Sequence, residues 1–582
     1  MIVLGLNAYH ADAAAALWID GEVVAAAEEE RFRRVKHWAG FPSQAVAFCL
    51  RDAGITLSDL DHVAINTDPR AARGRRLWQM LKRPPAPALL IDRLRNRSRR
   101  HNVLQQLQVL DPERPLAARL HAVGHHLAHL ASAYYVSPFD QAIAVSVDGS
   151  GDFASGAWGL GQGDTLRLDR QVWFPHSLGI FYQAMTQYLG FPHYGDEYKV
   201  MGLAPYGEPQ YVDLVQRLVG WNRAGEYRLD TRYFRHERER IAFDWDQGEP
   251  QFETLYHPKL VALLGPARRP EQPIEQRHKD LARSVQCVFE TAYLGLLTRL
   301  SERYGIRQLA ISGGCAQNSV ANGRILAQTP IESVYVAAAG YDAGGALGAA
   351  LEVAHRQGGR RTQPLWHAQL GPCFDGALIK SLLDQERTRI EAEGVRVLDF
   401  KDTSALDSRV VDCLIEGGVV GWFQGRMEWG PRALGQRSIL ADPRRQDMKE
   451  ILNRKIKRRE SFRPFAPSIL REQVAHWFSV DQDVPFMGQV LPIRPGERAR
   501  IPAVCHVDGS GRLQTVTRAH NPRYYALIER FFERTGVPML LNTSFNENEP
   551  IVCQPSEALN CFLRTRMDML VLGETLLWRA GD

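Results

Sequence analysis

The sequence of 582 residues lacks a long hydrophobic run, a paired-cysteine motif and a large excess of charge of either sign. The uncharged stretch that most resembles a membrane span, Leu120 to Phe139, contains four histidines and a proline, which excludes a membrane-spanning helix. The amino-terminal segment has no basic region ahead of its apolar residues, so we expect no secretion signal. These absences predict a cytoplasmic protein that does not enter a membrane.

The eight cysteines are scattered and form no CxxC pair, which argues against a structural zinc site and favours reduced thiols. The net charge of +5 is small for this length and gives no electrostatic reason to expect a nucleic-acid partner. Hydrophobic residues make up 45% and charged residues 24% of the chain, a composition typical of globular proteins.

Two similar segments of strands and polar turns occur in the first 170 residues. The first reads IVLGLN, AYHADA, AAALWID and GEVVAAAEEE, and the second, at 142–170, reads AIAVSVD, GSGDFA, SGAWGLG and GDTLRLDRQ. Both copies place small residues with Asp or His in the first turn, which indicates an internal duplication. Such turns offer backbone N–H groups and carboxylates to phosphates or metals. Two ordinary β-meanders would give the same pattern.

Strands and helices alternate further along the chain. RQLAISGGCAQNSVANGRIL reads as a strand, a Gly-Gly turn and a helix, and ESVYVAAAGYDAGGALGAALEVAHR as a strand followed by a helix. This order predicts α/β architecture. The segment 355–364 has the composition of a linker, so we place a domain boundary near residue 365. A basic insertion at 70–118 is interpreted as a solvated surface segment, with a lid over phosphate or substrate as the alternative.

Two histidines and two aspartates are candidate metal ligands. His125 and His129 are spaced i, i+4, so both imidazoles project from one helical face, a spacing that suits metal chelation and also occurs in ordinary histidine pairs. Asp148 ends the strand AIAVSVD, and Asp342 follows a strand in the same α/β region. Together these residues would form a mixed nitrogen and oxygen site for Fe(II), Mn(II) or Zn(II).

Glycine turns and isolated cations suggest anion binding. The turn Gly313–Gly314 opens a helix whose N–H groups would reach a phosphate or ribose, although tight strand-to-helix turns use glycine in any case. NTSFN at 542–546 adds hydroxyl and amide groups. A buried guanidinium needs an anion, and phosphate matches its bidentate geometry, whereas the alternative is a set of structural or solvated cations. The candidate cations, which lie among glycines and prolines, are Arg432, Lys457, Arg463 and Arg512.

Taken in order, a set of motifs resembles the O-carbamoyltransferases of the NodU/CmcH family, which act on nodulation factors, cephamycins, ansamycins and aminoglycosides such as tobramycin. The matching motifs are GLNAYHADAAAAL, EEERFRRVKH, HHLAH, VDGSGD, KVMGLAPYG, SGGCAQN, YDAGGALGAA, WGPRALGQRSILADPR, FRPFAPS, HVDG and NTSFN. The resemblance covers essentially the whole chain. It implies a duplicated actin/Hsp70-like (ASKHA) α/β domain over 1–365, similar to tRNA threonylcarbamoyl transferases. It also implies a YrdC-like α/β domain over 366–582, a pairing also found in HypF proteins.

The resemblance further implies a two-stage reaction that needs ATP with Mg²⁺. Carbamoyl phosphate would bind Arg432, Lys457, Arg463 and Arg512 and lose its phosphate. The resulting carbamate would attack the α-phosphate of ATP, giving carbamoyl-adenylate and pyrophosphate. A divalent transition metal at His125, His129, Asp148 and Asp342, expected to be Fe(II) with Mn(II) or Zn(II) as alternatives, would contact the adenylate while a small-molecule hydroxyl attacks and AMP leaves.

Further residue roles follow from the same resemblance. The implied acceptor-side residues are His10, Asp12, Lys36 and His37, of which His10 or His37 would deprotonate the hydroxyl. The implied nucleotide contacts are Lys199, Gly313, Gly314, Gln317, Asn318, Asn542 and Ser544. Many relatives have glycine just before the lysine of the motif KVMGLAPYG, whereas here Tyr198 precedes Lys199. The tyrosine would change the shape of the nucleotide site beside Lys199. The expected acceptor is an antibiotic-like secondary metabolite or a sugar, and a homodimer is left open.

Three other functions are compatible with parts of the sequence. An actin-like ATPase or small-molecule kinase would use the duplicated segment alone and would leave the arginines after residue 365 without a role. A tRNA-modifying threonylcarbamoyl transferase would need a separate adenylating partner. A non-catalytic scaffold would not need so many polar motifs. Acceptor selectivity is expected in variable loops, of which the insertion 70–118 is one candidate.

Overall fold

The chain forms two compact units in a computed structural model, Met1–Leu365 and Trp366–Asp582, called here the N-terminal and C-terminal units. The structure describes residues 1–75, 103–239, 241, 243–244, 248–361, 363–457, 459–460 and 462–579. The division falls where the sequence placed the boundary. Most of the predicted basic insertion lies outside the described residues, so its role stays a prediction. Among the described helices, none combines the length and apolarity needed to cross a bilayer.

The described part of the N-terminal unit contains two five-stranded sheets with the same strand order and two small two-stranded sheets. Its described strands are β1 (Ile2–Asn7), β2 (Ala14–Ile19), β3 (Glu22–Glu28), β4 (His62–Ile65), β5 (Arg119–Ala122), β6 (Gln141–Gly151), β7 (Ala154–Gln162), β8 (Thr165–Trp173), β9 (Val219–Trp221), β10 (Tyr227–Leu229), β11 (Phe243–Asp244), β12 (Gln251–Phe252), β13 (Gln308–Ser312) and β14 (Ser333–Val336).

The two sheet orders are β3-β2-β1-β4-β5 and β8-β7-β6-β13-β14. In each sheet, an antiparallel three-stranded meander is extended by two parallel strands on the side of its first strand. The predicted duplication and α/β class are therefore confirmed. The central strands β1 and β6 are almost fully buried, which explains their near-continuous apolar sequences.

Helices cover these sheets. The described α-helices of the N-terminal unit are Glu30–Arg33, Ser43–Asp52, Val103–Leu110, His125–Tyr134, Leu178–Tyr188, Glu197–Leu203, Val212–Gln216, Pro258–Leu264, Gln276–Tyr304, Ser319–Asn322, Ile325–Gln328 and Gly344–Arg356. The helix His125–Tyr134 packs closely against the helix Gly344–Arg356. A Cβ atom at Gly348 would lie 1.7 Å from the Ala128 carbonyl oxygen, so only glycine permits this approach. The contact holds the histidine-bearing helix close to the segment that contains Asp342.

The predicted linker at 355–364 begins too early, because its first two residues belong to a helix. His355 and Arg356 complete the helix Gly344–Arg356. Arg361 donates hydrogen bonds to the carbonyl oxygens of Ser137 and Phe139, at 2.5 and 2.6 Å. The Arg361 guanidinium therefore satisfies backbone carbonyl groups just beyond the helix His125–Tyr134.

A nine-stranded mixed sheet, ordered β15-β23-β22-β16-β17-β21-β18-β20-β19, forms the C-terminal unit. Its strands are β15 (Val395–Asp399), β16 (Val420–Phe423), β17 (Arg437–Ala441), β18 (Ala466–Leu470), β19 (Gln489–Pro492), β20 (Ser510–Val516), β21 (Met539–Ser544), β22 (Met569–Leu572) and β23 (Thr575–Arg579). Its described α-helices are Gly376–Gln385, Arg387–Ala392, Thr403–Ile415, Met448–Leu452, Val474–Trp477, Pro522–Thr535 and Pro555–Arg564. This unit is α/β, as predicted, and its specific likeness to YrdC domains stays a prediction.

Candidate active site

His125 and His129 occupy the first turns of the helix His125–Tyr134, as their spacing predicts. The backbone N–H of His125 donates to Asp152 Oδ2 at 2.9 Å, and this carboxylate satisfies an otherwise unpaired helix N-terminal group. Both imidazoles are buried, and their Nε2 atoms lie 3.2 Å apart. The Nε2 atoms of both histidines are therefore close enough to bind one ion.

Asp148 lies in an irregularity of β6, where the pairing with β7 shifts between Val147 and Gly151. Its Oδ2 atom is 3.1 Å from Nε2 of both histidines. Its other oxygen accepts a hydrogen bond from the Gly314 N–H at 3.1 Å. Gly313 has φ +87°, and a Cβ there would lie 2.3 Å from the Val147 carbonyl oxygen. The glycines of SGGCAQN therefore let this turn reach and orient Asp148.

Asp342 completes the cluster. Its Oδ1 atom lies 3.5 Å from Nε2 of His125 and of His129, and it is buried without a hydrogen-bond partner among the described residues. Ligand atoms of all four predicted residues lie within 4.8 Å of one another. An unpartnered buried carboxylate oxygen beside two convergent imidazoles fits a divalent cation, because such an ion would satisfy every one of these atoms.

Charge within the cluster also favours a cation. Burial lowers the pKa of His129, but the adjacent carboxylates of Asp148 and Asp342 outweigh burial and raise the pKa to about 9. The pKa of Asp342 is held below its usual range because His10 and His129 outweigh the effect of burial. In the metal-free cluster, a proton on His129 thus compensates the carboxylates, and binding of a cation would release that proton.

The predicted acceptor-side residues lie beside this cluster. His10 Nδ1 is 2.6 Å from Asp342 Oδ2, and His37 Nδ1 is 2.7 Å from Asp12 Oδ1. Burial opposes protonation of His37, but the carboxylate of Asp12 raises the pKa of His37 to about 9. Burial raises the pKa of Asp12, although His37 acts in the opposite direction. Lys36 is exposed, next to His37 in the sequence.

The predicted nucleotide contacts of the N-terminal unit have structural partners. Lys199 forms an ion pair with Asp196 at 2.8 Å. The Asn318 side chain accepts from the Ala321 N–H and exchanges amide hydrogen bonds with Gln286 at 3.0 and 3.1 Å. Gln317 packs near Gly340. These contacts give Asn318 a role in capping the helix Ser319–Asn322, and the nucleotide roles stay predictions.

Three of the predicted phosphate-binding cations meet in the C-terminal unit. Burial, followed by repulsion from Arg432, Arg459 and Arg463, lowers the pKa of Arg512 well below its usual range. Arg512 Nε is buried and has no hydrogen-bond partner among the described residues. Glu460 lies 3.4 Å from Arg463, at the edge of the group. This arginine cluster (Arg432, Arg459, Arg463 and Arg512) is a half-buried concentration of positive charge that an oxyanion would stabilise.

Lys457 lies in the same unit but its amine is enclosed. Nζ donates to the Ser544 and Asn546 carbonyl oxygens at 2.6 and 2.7 Å, and to Asn546 Oδ1 at 2.7 Å. Three acceptors satisfy the three donors of an ammonium group, so Lys457 fixes the NTSFN loop in place. Asn542 donates to Ser468 Oγ at 3.0 Å, while its Oδ1 is buried without a partner among the described residues.

Sequence reasoning assigned no role to two residues of these sites. Asp152 holds the N-terminus of the histidine helix and also accepts from the Asp68 N–H at 2.8 Å. Arg459 belongs to the arginine cluster. Asp152 ends the motif VDGSGD, and Arg459 shortly precedes the motif FRPFAPS. The polar residues in and around these motifs were the only sequence signal for the two roles.

Comparisons with known proteins cover nearly the whole chain. Residues 2–351 match the family model described as Carbamoyltransferase N-terminus, and residues 411–579 match Carbamoyltransferase C-terminus. The nodulation protein NolNO of Sinorhizobium fredii is 38% identical over 98% of this chain and 79% of its own. The 3'-hydroxymethylcephem-O-carbamoyltransferase of Streptomyces clavuligerus is 35% identical over 47% of this chain and 49% of its own. The crystal structure of T. kodakarensis HypF, 12% identical, covers 61% of this chain and 47% of its own with a TM-score of 0.30.

Proposed function

Because this chain belongs to the carbamoyltransferase family, we propose that it is an ATP-dependent O-carbamoyltransferase that uses carbamoyl phosphate through a carbamoyl-adenylate. The single observation that carries the proposal is the buried cluster of two imidazoles and two carboxylates, with the His37–Asp12 pair beside it. The arginine cluster of the C-terminal unit supports it, since a phosphorylated carbon donor needs a site of that charge.

In the proposed first stage, the arginine cluster binds the phosphate of carbamoyl phosphate. Water cleaves the bond between phosphorus and the bridging oxygen, giving inorganic phosphate and carbamate. A carbamate oxygen then attacks the α-phosphorus of ATP, bound with Mg²⁺, and the bond to the bridging oxygen of the β-phosphate breaks. The products are carbamoyl-adenylate and pyrophosphate. Guanidinium groups that are already in place stabilise the charge that develops on these oxygens.

In the proposed second stage, His125, His129, Asp148 and Asp342 hold a divalent transition metal, for which we favour Fe(II) over Mn(II) or Zn(II). When bound, this ion supplies a fixed positive charge for the adenylate phosphate. His37, held by Asp12, accepts the proton of the acceptor hydroxyl. The hydroxyl oxygen attacks the carbamoyl carbon, and the bond between that carbon and the phosphate oxygen breaks so that AMP leaves. His10, whose Nδ1 contacts Asp342 Oδ2, fixes the orientation of the Asp342 carboxylate.

The proposed acceptor is a small-molecule hydroxyl compound. NolNO is a nodulation protein and another relative carbamoylates a hydroxymethylcephem, so a sugar derivative or an antibiotic-like secondary metabolite is the proposed substrate class. We further propose that the enzyme acts in the cytoplasm without nucleic-acid or membrane partners, and that copies of the chain form a homodimer. Size-exclusion chromatography with light scattering at micromolar concentration tests the last point, and a monomer would contradict it.

The reaction can be tested before the acceptor is known. Incubation with ATP, Mg²⁺ and carbamoyl phosphate should release pyrophosphate and inorganic phosphate together, because water slowly consumes the adenylate. Leaving out carbamoyl phosphate should stop pyrophosphate release. An actin-like kinase would attack the γ-phosphate and yield ADP. ADP as the sole nucleotide product, formed independently of carbamoyl phosphate, would overturn the proposed function.

A further inference from the structure

A tight turn leads into β20 beside the arginine cluster. The backbone N–H of His506 donates to the Ser510 carbonyl at 2.8 Å, and the Gly509 N–H donates to the His506 carbonyl at 2.9 Å. Ser510 and Arg512 are two residues apart on β20, so their side chains leave the same face of the strand. The turn therefore brings the His506 side chain, which contacts Ser510, to the side of the sheet that carries Arg512.

Hydrogen bonding within the turn fixes which nitrogen of His506 carries the proton. Ser510 Oγ lies 2.6 Å from Asp508 Oδ1 and 3.3 Å from His506 Nδ1. The Asp508 carboxylate only accepts hydrogen bonds, so the serine hydroxyl donates its proton there. His506 Nδ1 must then donate to Ser510 Oγ, and Nε2 is left with a lone pair.

The imidazole stays neutral in this position. Burial lowers the pKa of His506 to about 4, and Arg512 and Lys449 act in the same direction while Asp508 opposes them. Nε2 is buried and has no hydrogen-bond partner among the described residues. His506 Nε2 can only accept a hydrogen bond, whereas the neighbouring arginines can only donate. A ligand that fits both has a hydrogen-bond donor at one end, for His506, and acceptor oxygens at the other end, for the arginines.

We propose that His506 Nε2 accepts a hydrogen bond from the carbamoyl NH₂ of carbamoyl phosphate and so selects this donor over acyl phosphates without an N–H group. The inference rests on the proposed function, because it requires the arginine cluster to hold the phosphate of the same molecule. Acetyl phosphate is nearly the same size but offers a methyl group, which would leave the buried lone pair unsatisfied.

The test compares carbamoyl phosphate as substrate with acetyl phosphate and inorganic phosphate as competitive inhibitors, with pyrophosphate release as the assay. His506→Phe keeps a flat ring but removes the acceptor. It should lower kcat/KM for carbamoyl phosphate about 5- to 100-fold, the effect of one lost buried hydrogen bond. Inhibition by inorganic phosphate should not change, and acetyl phosphate should bind at least as well as to the unaltered protein.

Two further variants keep the test decisive if His506→Phe does not fold. His506→Gln places an amide oxygen near the position of Nε2 and should restore part of the preference for carbamoyl phosphate. Ser510→Ala removes the partner that fixes the tautomer and should weaken the preference. His476→Ala, a histidine substitution elsewhere in the unit, serves as the matched control and should leave the preference unchanged.

The outcomes separate the two hypotheses. If the unaltered protein forms no pyrophosphate with carbamoyl phosphate, the proposed function fails. If it does, but the His506 and Ser510 variants prefer carbamoyl phosphate as strongly as the unaltered protein, the role of His506 is refuted while the function stands. A parallel loss of inorganic phosphate binding in His506→Gln would also refute it, because the residue would then act on the phosphate and not on the amide.

Discussion

Replacing Arg512 by methionine should separate anion binding from folding. Arg512 is half-buried beside Arg432, Arg459 and Arg463, which repel it, and its buried Nε has no partner among the described residues. Methionine has a flexible, uncharged side chain that reaches about as far as the Nε atom of arginine. The variant should therefore fold with a ligand-free melting temperature equal to or above that of the unaltered protein.

Phosphate binding should be weakened in the same variant. A hydrogen bond between charged groups contributes about 1.5–3 kcal/mol, which corresponds to binding weakened about 10- to 150-fold. Phosphate at about 100 times its dissociation constant should stabilise the unaltered protein by about 2.7 kcal/mol. For a domain the size of the C-terminal unit, this stabilisation corresponds to a rise in melting temperature of roughly 5–10 °C. At the same concentration, the variant should gain less than about half of this rise.

The measurement is thermal unfolding with increasing inorganic phosphate at constant ionic strength. Arg518→Met is the control, because Arg518 is exposed in the same unit and paired with Glu529. The control should keep the full phosphate-dependent rise. Equal rises in the Arg512 variant and the unaltered protein, or a ligand-free Arg512 variant that melts several degrees lower, would show that Arg512 is a structural cation and refute the reasoning.

Three more predictions concern the N-terminal unit. His125→Ala should lower metal content and abolish acceptor carbamoylation while pyrophosphate release continues; full metal occupancy in this variant and in a His125/His129 double variant would contradict the metal site. If His37 is the base, the rate of carbamoyl transfer should rise with pH through about 9 as His37 loses its proton. Asp12→Asn should move this rise to lower pH, because it removes the carboxylate of Asp12 that raises the pKa of His37. An unchanged pH profile of the rate would exclude His37 as the base. Gly313→Ala should destabilise the protein by about 1–3 kcal/mol in denaturant unfolding, because φ is +87° and a Cβ would clash; an unchanged midpoint would mean that the turn relaxes at little cost.

Local sequence patterns determined much of the fold and of the candidate site of this protein. Alternating apolar residues and short polar turns predicted the duplicated meanders, since strand periodicity and turn chemistry depend on only a few neighbouring residues. The i, i+4 spacing of His125 and His129 placed both imidazoles on one helical face for the same reason. The family could also be predicted from the sequence, because each of its motifs is a contiguous run of residues.

Only the tertiary structure decided which distant groups share a site and which are already satisfied. Asp342 meets the histidines because Gly348 lets two helices approach closely, and His10 contacts Asp342 across a separate turn. Arg459 joins the other arginines, whereas Lys457 is enclosed by loop oxygens. Such outcomes depend on packing between segments far apart in the chain and on competition among hydrogen-bond partners, and neither leaves a signature in local spacing.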